Sequence, residues 1–171
     1  ERQGDFTGAA AAYQVAAVSG EKRSFAWSYR LAFVLEKLGR HEEACHAYLK
    51  SLRPEDIAVL PVSDPSLASR IDSLTEQLAD DATDGVGWWD LGEARAGLES
   101  WADAFEAYRQ CAARSDVHQR RVYHRMGWCL LMMGNHGEAC ACFRDTRILQ
   151  RPQGVSEAEF RKDEDVRKNA T

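Results

Sequence analysis

Nowhere does the chain offer an apolar run approaching the ~20 residues that span a bilayer, and no charged-then-apolar signal segment opens it. Proline is scarce, four in 171 residues, so long helices are not interrupted along most of the length. Excess positive charge is also missing. Lys and Arg number 22 against 27 Asp and Glu, a net charge of -5, which leaves no broad basic field to neutralise phosphates and argues against nucleic acid as a partner. The five cysteines, Cys45, Cys111, Cys129, Cys140 and Cys142, contain no C-x-x-C pair. A disulfide framework is therefore not expected, and the thiols read as small buried hydrophobes in a reducing, cytoplasmic compartment. There is no P-loop, no G-x-G-x-x-G, no H-E-x-x-H and no G-x-S-x-G. Without a phosphate cradle, a metal-binding helix or a nucleophile, the sequence implies no cofactor and no catalytic residue.

What the chain does have is internal repetition. Trp88-Trp89-Asp90-Leu91-Gly92 gives a W-x-x-L-G opening, and Ala104 to Tyr108 follows as A-x-x-x-aromatic. A second copy carries Tyr123, Met126 and Gly127 in its opening, then Gly134, His136, Ala139 and Phe143. Upstream, Leu31, Ala32 and Leu35, then Gly39, His41, Ala44 and Tyr48, form a third. Gly4, Phe6, Ala9 and Tyr13 reproduce the second half alone. Large residues at helical spacing fill the space between paired helices, while Gly or Ala lets the pair approach closely. A unit of this size cannot bury its apolar face alone, so the copies must stack.

The copies are not evenly spaced. Between the equivalent residues Ala44 and Ala104 lies an insertion, in which residues 55–64 read as an irregular crossing and a helix follows from Asp64 as N-cap and Pro65 as first helical residue. Leu67, Ile71, Leu74 and Leu78 mark its apolar face. At the far end Ser156 and Glu159 form a capping box ahead of a charged terminal helix. The organisation predicted is one domain: a half repeat at 1–20, repeats at 24–54, 84–115 and 118–152, an inserted linker plus helix at 55–83, and a capping helix at 154–169. Beginning at Glu1 and ending on charge, the sequence suits a segment of a larger protein.

These motifs resemble the tetratricopeptide repeat (TPR) family over about residues 1–54 and 84–150. The resemblance implies an all-α, TPR-like superhelix of antiparallel helix pairs with one inserted helix and a C-terminal capping helix. It also implies a non-catalytic scaffold that binds a protein or peptide in a concave groove lined by first helices. Carrying the family's groove positions onto this chain selects Tyr29, Arg30, Phe33 and Lys37, then Trp89, Asp90 and Glu93, then Arg121, His124, Arg125 and Trp128. Aromatic residues and arginine together suit an acidic, partly apolar partner, and the pattern also allows a homo-oligomer. The carboxylate clamp of chaperone-binding members is not matched, because Tyr29, Phe33, Trp89 and Glu93 stand where Lys and Asn are needed. The wording of residues 29–44 is further similar to repeats attached to bacterial CDP-glycerol glycerophosphotransferase-type enzymes of surface-polysaccharide synthesis, which implies as an alternative an accessory region of such a transferase.

Two His-x-x-x-Cys pairs, His41/Cys45 and His136/Cys140, each set an imidazole and a thiol one helical turn apart. That spacing can chelate zinc. Both pairs occupy equivalent places in repeats remote in sequence, so helix packing is the expected role and no metal site is expected.

Overall fold

The computed structural model describes residues 2–18, 24–52, 64–114 and 119–148. Within them lie eight helices and no strand: α1 (Arg2–Val18), α2 (Ser24–Lys37), α3 (His41–Ser51), α4 (Leu67–Asp80), α5 (Gly85–Gly97), α6 (Trp101–Arg114), α7 (Gln119–Met132) and α8 (His136–Ile148). The all-α, TPR-like arrangement of antiparallel pairs is thus present. The proposed terminal helix at 154–169 and the irregular crossing through 55–63 lie outside the described residues.

Three hairpins, α2–α3, α5–α6 and α7–α8, close with the same backbone device. The amides of Arg40, Ser100 and Asn135 reach back to the carbonyls of Leu35, Arg95 and Leu130 at 2.9, 3.0 and 2.8 Å. Each such closure needs a left-handed residue just past the first helix. Gly39 (φ 74°) and Gly134 (φ 80°) supply it at no steric cost, whereas the middle hairpin uses Glu99 at φ 58°.

Inside each hairpin a small residue on the first helix faces a large ring on the second. A Cβ on Gly92 would stand 2.5 Å from Tyr108 Cε1, and one on Gly127 would stand 2.7 Å from Phe143 Cε1. Ala32 and Tyr48, the equivalent pair, are fully buried. The W-x-x-L-G and A-x-x-x-aromatic spacings are therefore two sides of one contact.

The helices do not neighbour one another in chain order. The contacts run α1, α2, α3, α8, α7, α6, α5, α4, so the first hairpin packs on the last through their second helices, and α4 closes the opposite end of the row. Leu74 and Leu78 of α4 bury against Leu91 and Ala107 of the middle hairpin, and Arg70 meets Asp90 at 3.3 Å. The inserted helix is therefore an end piece, not a layer between repeats. It also begins later than its sequence suggests: Asp64 Oδ1 accepts the Ser66 amide at 2.8 Å in a turn, and the helix opens at Leu67.

The α3–α8 junction is built by equivalent residues meeting their own counterparts. Ala44, Cys45 and Tyr48 pack with Ala139, Cys140 and Phe143 in one buried cluster that also takes in Ala32, Leu35 and Leu130. Small alanines at the crossing let the two helices approach. Arg144 of α8 reaches Glu36 of α2 at 2.6 Å, and Glu36 also accepts the Tyr48 hydroxyl at 2.8 Å. The two halves of the row are thereby joined by apolar packing and by one partly buried charged network.

Candidate interaction surface

The groove positions expected from the repeat pattern divide into two groups. Tyr29, Trp89 and His124 are equivalent, and each places its ring against the aromatic of its own second helix: Tyr29 on Tyr48 at 5.5 Å, Trp89 on Tyr108 at 5.5 Å and His124 on Phe143 at 5.9 Å between ring centres. The position therefore belongs to hairpin packing, although Tyr29 and Trp89 retain a half-buried edge. His124 retains none. It is buried, and both of its ring nitrogens lack a hydrogen-bond partner. Burial, and secondarily the charge of Arg125, push its pKa down from 6.5 to about 4, so the ring is neutral at physiological pH.

Arg125 is likewise interior, against the expectation that it is presented to a partner. Its side chain is only 3% exposed, and its Nε and Nη2 donate to the two carboxylate oxygens of Glu93 at 2.7 Å each. Glu93 also accepts the Tyr108 hydroxyl at 2.6 Å. Burial, and then the negative charge of Glu93, raise the Tyr108 pKa well above the ordinary phenol range. Fork-to-fork pairing of this kind is what guanidinium geometry favours. It ties α5 to α7, so Glu93 and Arg125 are engaged with each other and Arg125 is not presented beside Arg121. Arg121 is exposed, and Trp128 is half-buried with its indole nitrogen enclosed and unpartnered.

Asp90 on α5 is engaged by Arg70, and the positions on α2, Tyr29 among them, form a more open surface. Phe25, Tyr29 and Phe33 recur at i, i+4 and i+8, which aligns them along one face; Phe25 and Phe33 are each 41% exposed. Lys37 Nζ sits 5.2 Å from the centre of the Phe33 ring, and the Arg30 guanidinium lies 5.2 Å from that of Trp27. Phe25 was not singled out by the repeat pattern, although its four-residue spacing from Tyr29 was visible.

The His-x-x-x-Cys pairs, remote in sequence, are brought together by the α3–α8 junction. The first turns of α3 and α8 line an open cleft of about 650 Å³, in which Gly39, His41 and Glu43 face their counterparts Gly134, His136 and Glu138. Among the described residues no group of three or more His, Cys, Asp or Glu is arranged to hold a metal ion, and no helix is long and apolar enough to cross a membrane.

Comparison with known proteins agrees with this geometry. The tetratricopeptide repeat model matches residues 28–53, which is the α2–α3 hairpin. No curated protein matches the chain in sequence at a significant level. Among solved structures, the MamA RS-1 ArsTM double mutant is similar with a TM-score of 0.50 at 21% identity, over 91% of this chain and 90% of that one. MamA 41-end from Desulfovibrio magneticus RS-1 is similar with a TM-score of 0.49 at 20% identity, over 78% and 79% of the two chains. The chain thus carries a tetratricopeptide repeat at 28–53, and the same helix-pair fold continues in the hairpins beyond it.

Proposed function

We propose that the chain is a non-catalytic protein-interaction scaffold whose partner surface is centred on α2 and takes an acidic, partly apolar peptide or helix. The observation that carries this reading is the line of Phe25, Tyr29 and Phe33, two of them two-fifths exposed, flanked by Arg30 and Lys37. Aromatic rings beside cations are the composition of binding hot spots, and exposed rings on a helix face are the usual anchors for a peptide laid along it. Exposed Arg121 and half-buried Trp128 supply a second, smaller area on α7. A cytoplasmic setting fits the five free thiols. The accessory role in a polysaccharide transferase is carried by the sequence resemblance across 29–44 and by no feature of the fold.

The test is selection of binders to the full chain from a library of acidic, aromatic-containing peptides. Phe33→Ser is expected to weaken a selected peptide by about 30-fold, the loss typical of a hot-spot side chain. Lys37→Glu is expected to weaken it further at low salt, with both variants melting as the parent does. Undiminished binding by both variants refutes the α2 surface.

A further inference from the structure

We propose that Cys45 and Cys140 are a modification site: a thiol pair that a hydroperoxide converts to an intrachain disulfide, stapling α3 to α8 and so the first hairpin to the last. Their sulfurs stand 3.2 Å apart, both fully buried, at the centre of the junction between the two halves. The surroundings are symmetric. Cys45 Sγ lies 3.2 Å from the carbonyl oxygen of His136, and Cys140 Sγ lies 3.3 Å from that of His41. Each thiol is thus held one turn inside the other hairpin's second helix and directed at its counterpart. Among the described residues the other cysteines, Cys111, Cys129 and Cys142, show no such sulfur contact. Joining the pair requires the sulfurs to close from 3.2 Å to about 2.05 Å, across a crossing lined by Ala44 and Ala139.

Access comes from the cleft. Its walls are the first turns of α3 and α8, and include His41 and His136, the residues whose carbonyls the thiols address. The pair thus lies behind the first-turn backbone of the cleft wall, and hydrogen peroxide, a small oxidant, is the probe chosen to reach it. The two thiols are also unequal. Either thiol can donate to the other; with Cys45 as the donor, that bond lowers the Cys140 pKa and, together with burial, raises that of Cys45. Cys140 is accordingly the attacking sulfur.

The chemistry balances in two steps. The Cys140 thiolate attacks one oxygen of hydrogen peroxide; the S–O bond forms, the O–O bond breaks, and the departing hydroxide leaves as water with the thiol's proton. The Cys45 sulfur then attacks the sulfenyl sulfur of Cys140. The S–S bond forms, the S–O bond breaks, and the second hydroxide takes the Cys45 proton as water. Two thiols lose two electrons, and one peroxide gains them to give two waters.

The experiment treats the folded full chain with stoichiometric hydrogen peroxide and reads intact mass, a peptide map without reductant and the melting temperature. The expected product is a monomer lighter by about 2 Da, the loss of two hydrogens on disulfide formation. Its map should join the peptide containing Cys45 to the one containing Cys140, with fragment ions assigning Cys140 and not its neighbour Cys142. Because the bond closes a loop of nearly 100 residues, the oxidised chain should melt higher by on the order of 10 °C, reversed by dithiothreitol. Mass gains of oxygen without the 2 Da loss overturn the proposal, as does a bond to another cysteine or between chains. The Cys45→Ala variant, checked for native helix content, should lose the 2 Da product; Cys45→Ser serves if the alanine variant fails to fold. Persistence of that product in either folded variant also overturns it.

Discussion

His124 makes the stability of this fold depend on pH in a definite window. Its folded-state pKa is about 4 against an ordinary 6.5, because burial disfavours the imidazolium and Arg125 repels it. A histidine depressed on folding binds protons more readily in the unfolded chain. Its neutral form is therefore compatible with folding at high pH, and stability falls as the pH drops through 6.5 toward 4. With those two values the loss between about pH 7.5 and about pH 5 is about 2 kcal/mol, and it approaches about 3 kcal/mol near pH 4. The replacement that isolates this effect is His124→Phe. The equivalent positions hold Tyr29 and Trp89, each with its ring packed edge-on or tilted against its hairpin's aromatic, so a phenylalanine keeps the contact with Phe143 while removing the titration. It also removes two buried nitrogens without partners, so the variant should be as stable as the parent at neutral pH or more so. Urea unfolding followed by tryptophan fluorescence at about pH 7.5, 6 and 5 measures both proteins, and other titrating groups cancel in their difference. The stability gap should widen by about 2 kcal/mol toward the acid end in favour of His124→Phe. A gap that stays constant across the window refutes the reasoning.

The close approach within each hairpin predicts that Gly92→Ala and Gly127→Ala each destabilise by about 1–3 kcal/mol, since the new methyl meets the buried ring of Tyr108 or Phe143; unchanged urea midpoints would contradict it. Glu99 occupies a left-handed position that the other two hairpins give to glycine, so Glu99→Gly should stabilise by about 1 kcal/mol in thermal unfolding. Removing Glu93 leaves the Arg125 guanidinium buried and short of its main partner. Glu93→Ala should therefore cost about 3 kcal/mol or more, and adding Arg125→Met to it should recover a substantial part, as a double-mutant cycle would report.

The hairpins were legible in the sequence because their determinants are local. Trp88, Leu91 and Gly92 on one helix and Ala104 and Tyr108 on the next sit within one turn of their partners, so spacing alone encodes the contact. The face of each first helix was harder to read. Tyr29, Trp89 and His124 look like groove residues from the family pattern, yet a large ring stands opposite each of them at Tyr48, Tyr108 and Phe143. That coincidence in all three copies was the available signal that the position packs inward. Arg125 offered no comparable sign, because its burial depends on Glu93, 32 residues away, lying across the α5–α7 interface. The order of the row was not legible at all. Repeat spacing specifies a hairpin and its next neighbour, and says nothing of a unit separated from the others by an insertion. The inserted helix fills the seat beside α5, which leaves the open face of α3 to meet α8.

That doubled-back threading sets a schedule for synthesis. The hairpin made first, α2–α3, buries its outer face on α8, and Cys45 meets Cys140 across 95 residues of chain. Chains emerge at about 5–20 residues per second, so the apolar surface around Ala44, Cys45 and Tyr48 waits for seconds after it is made before its partner exists. The nascent chain is therefore most exposed to aggregation and to holding chaperones in the interval between the exit of α3 and the exit of α8. Synonymous changes that slow translation through 64–135 should lengthen that interval without altering the finished protein.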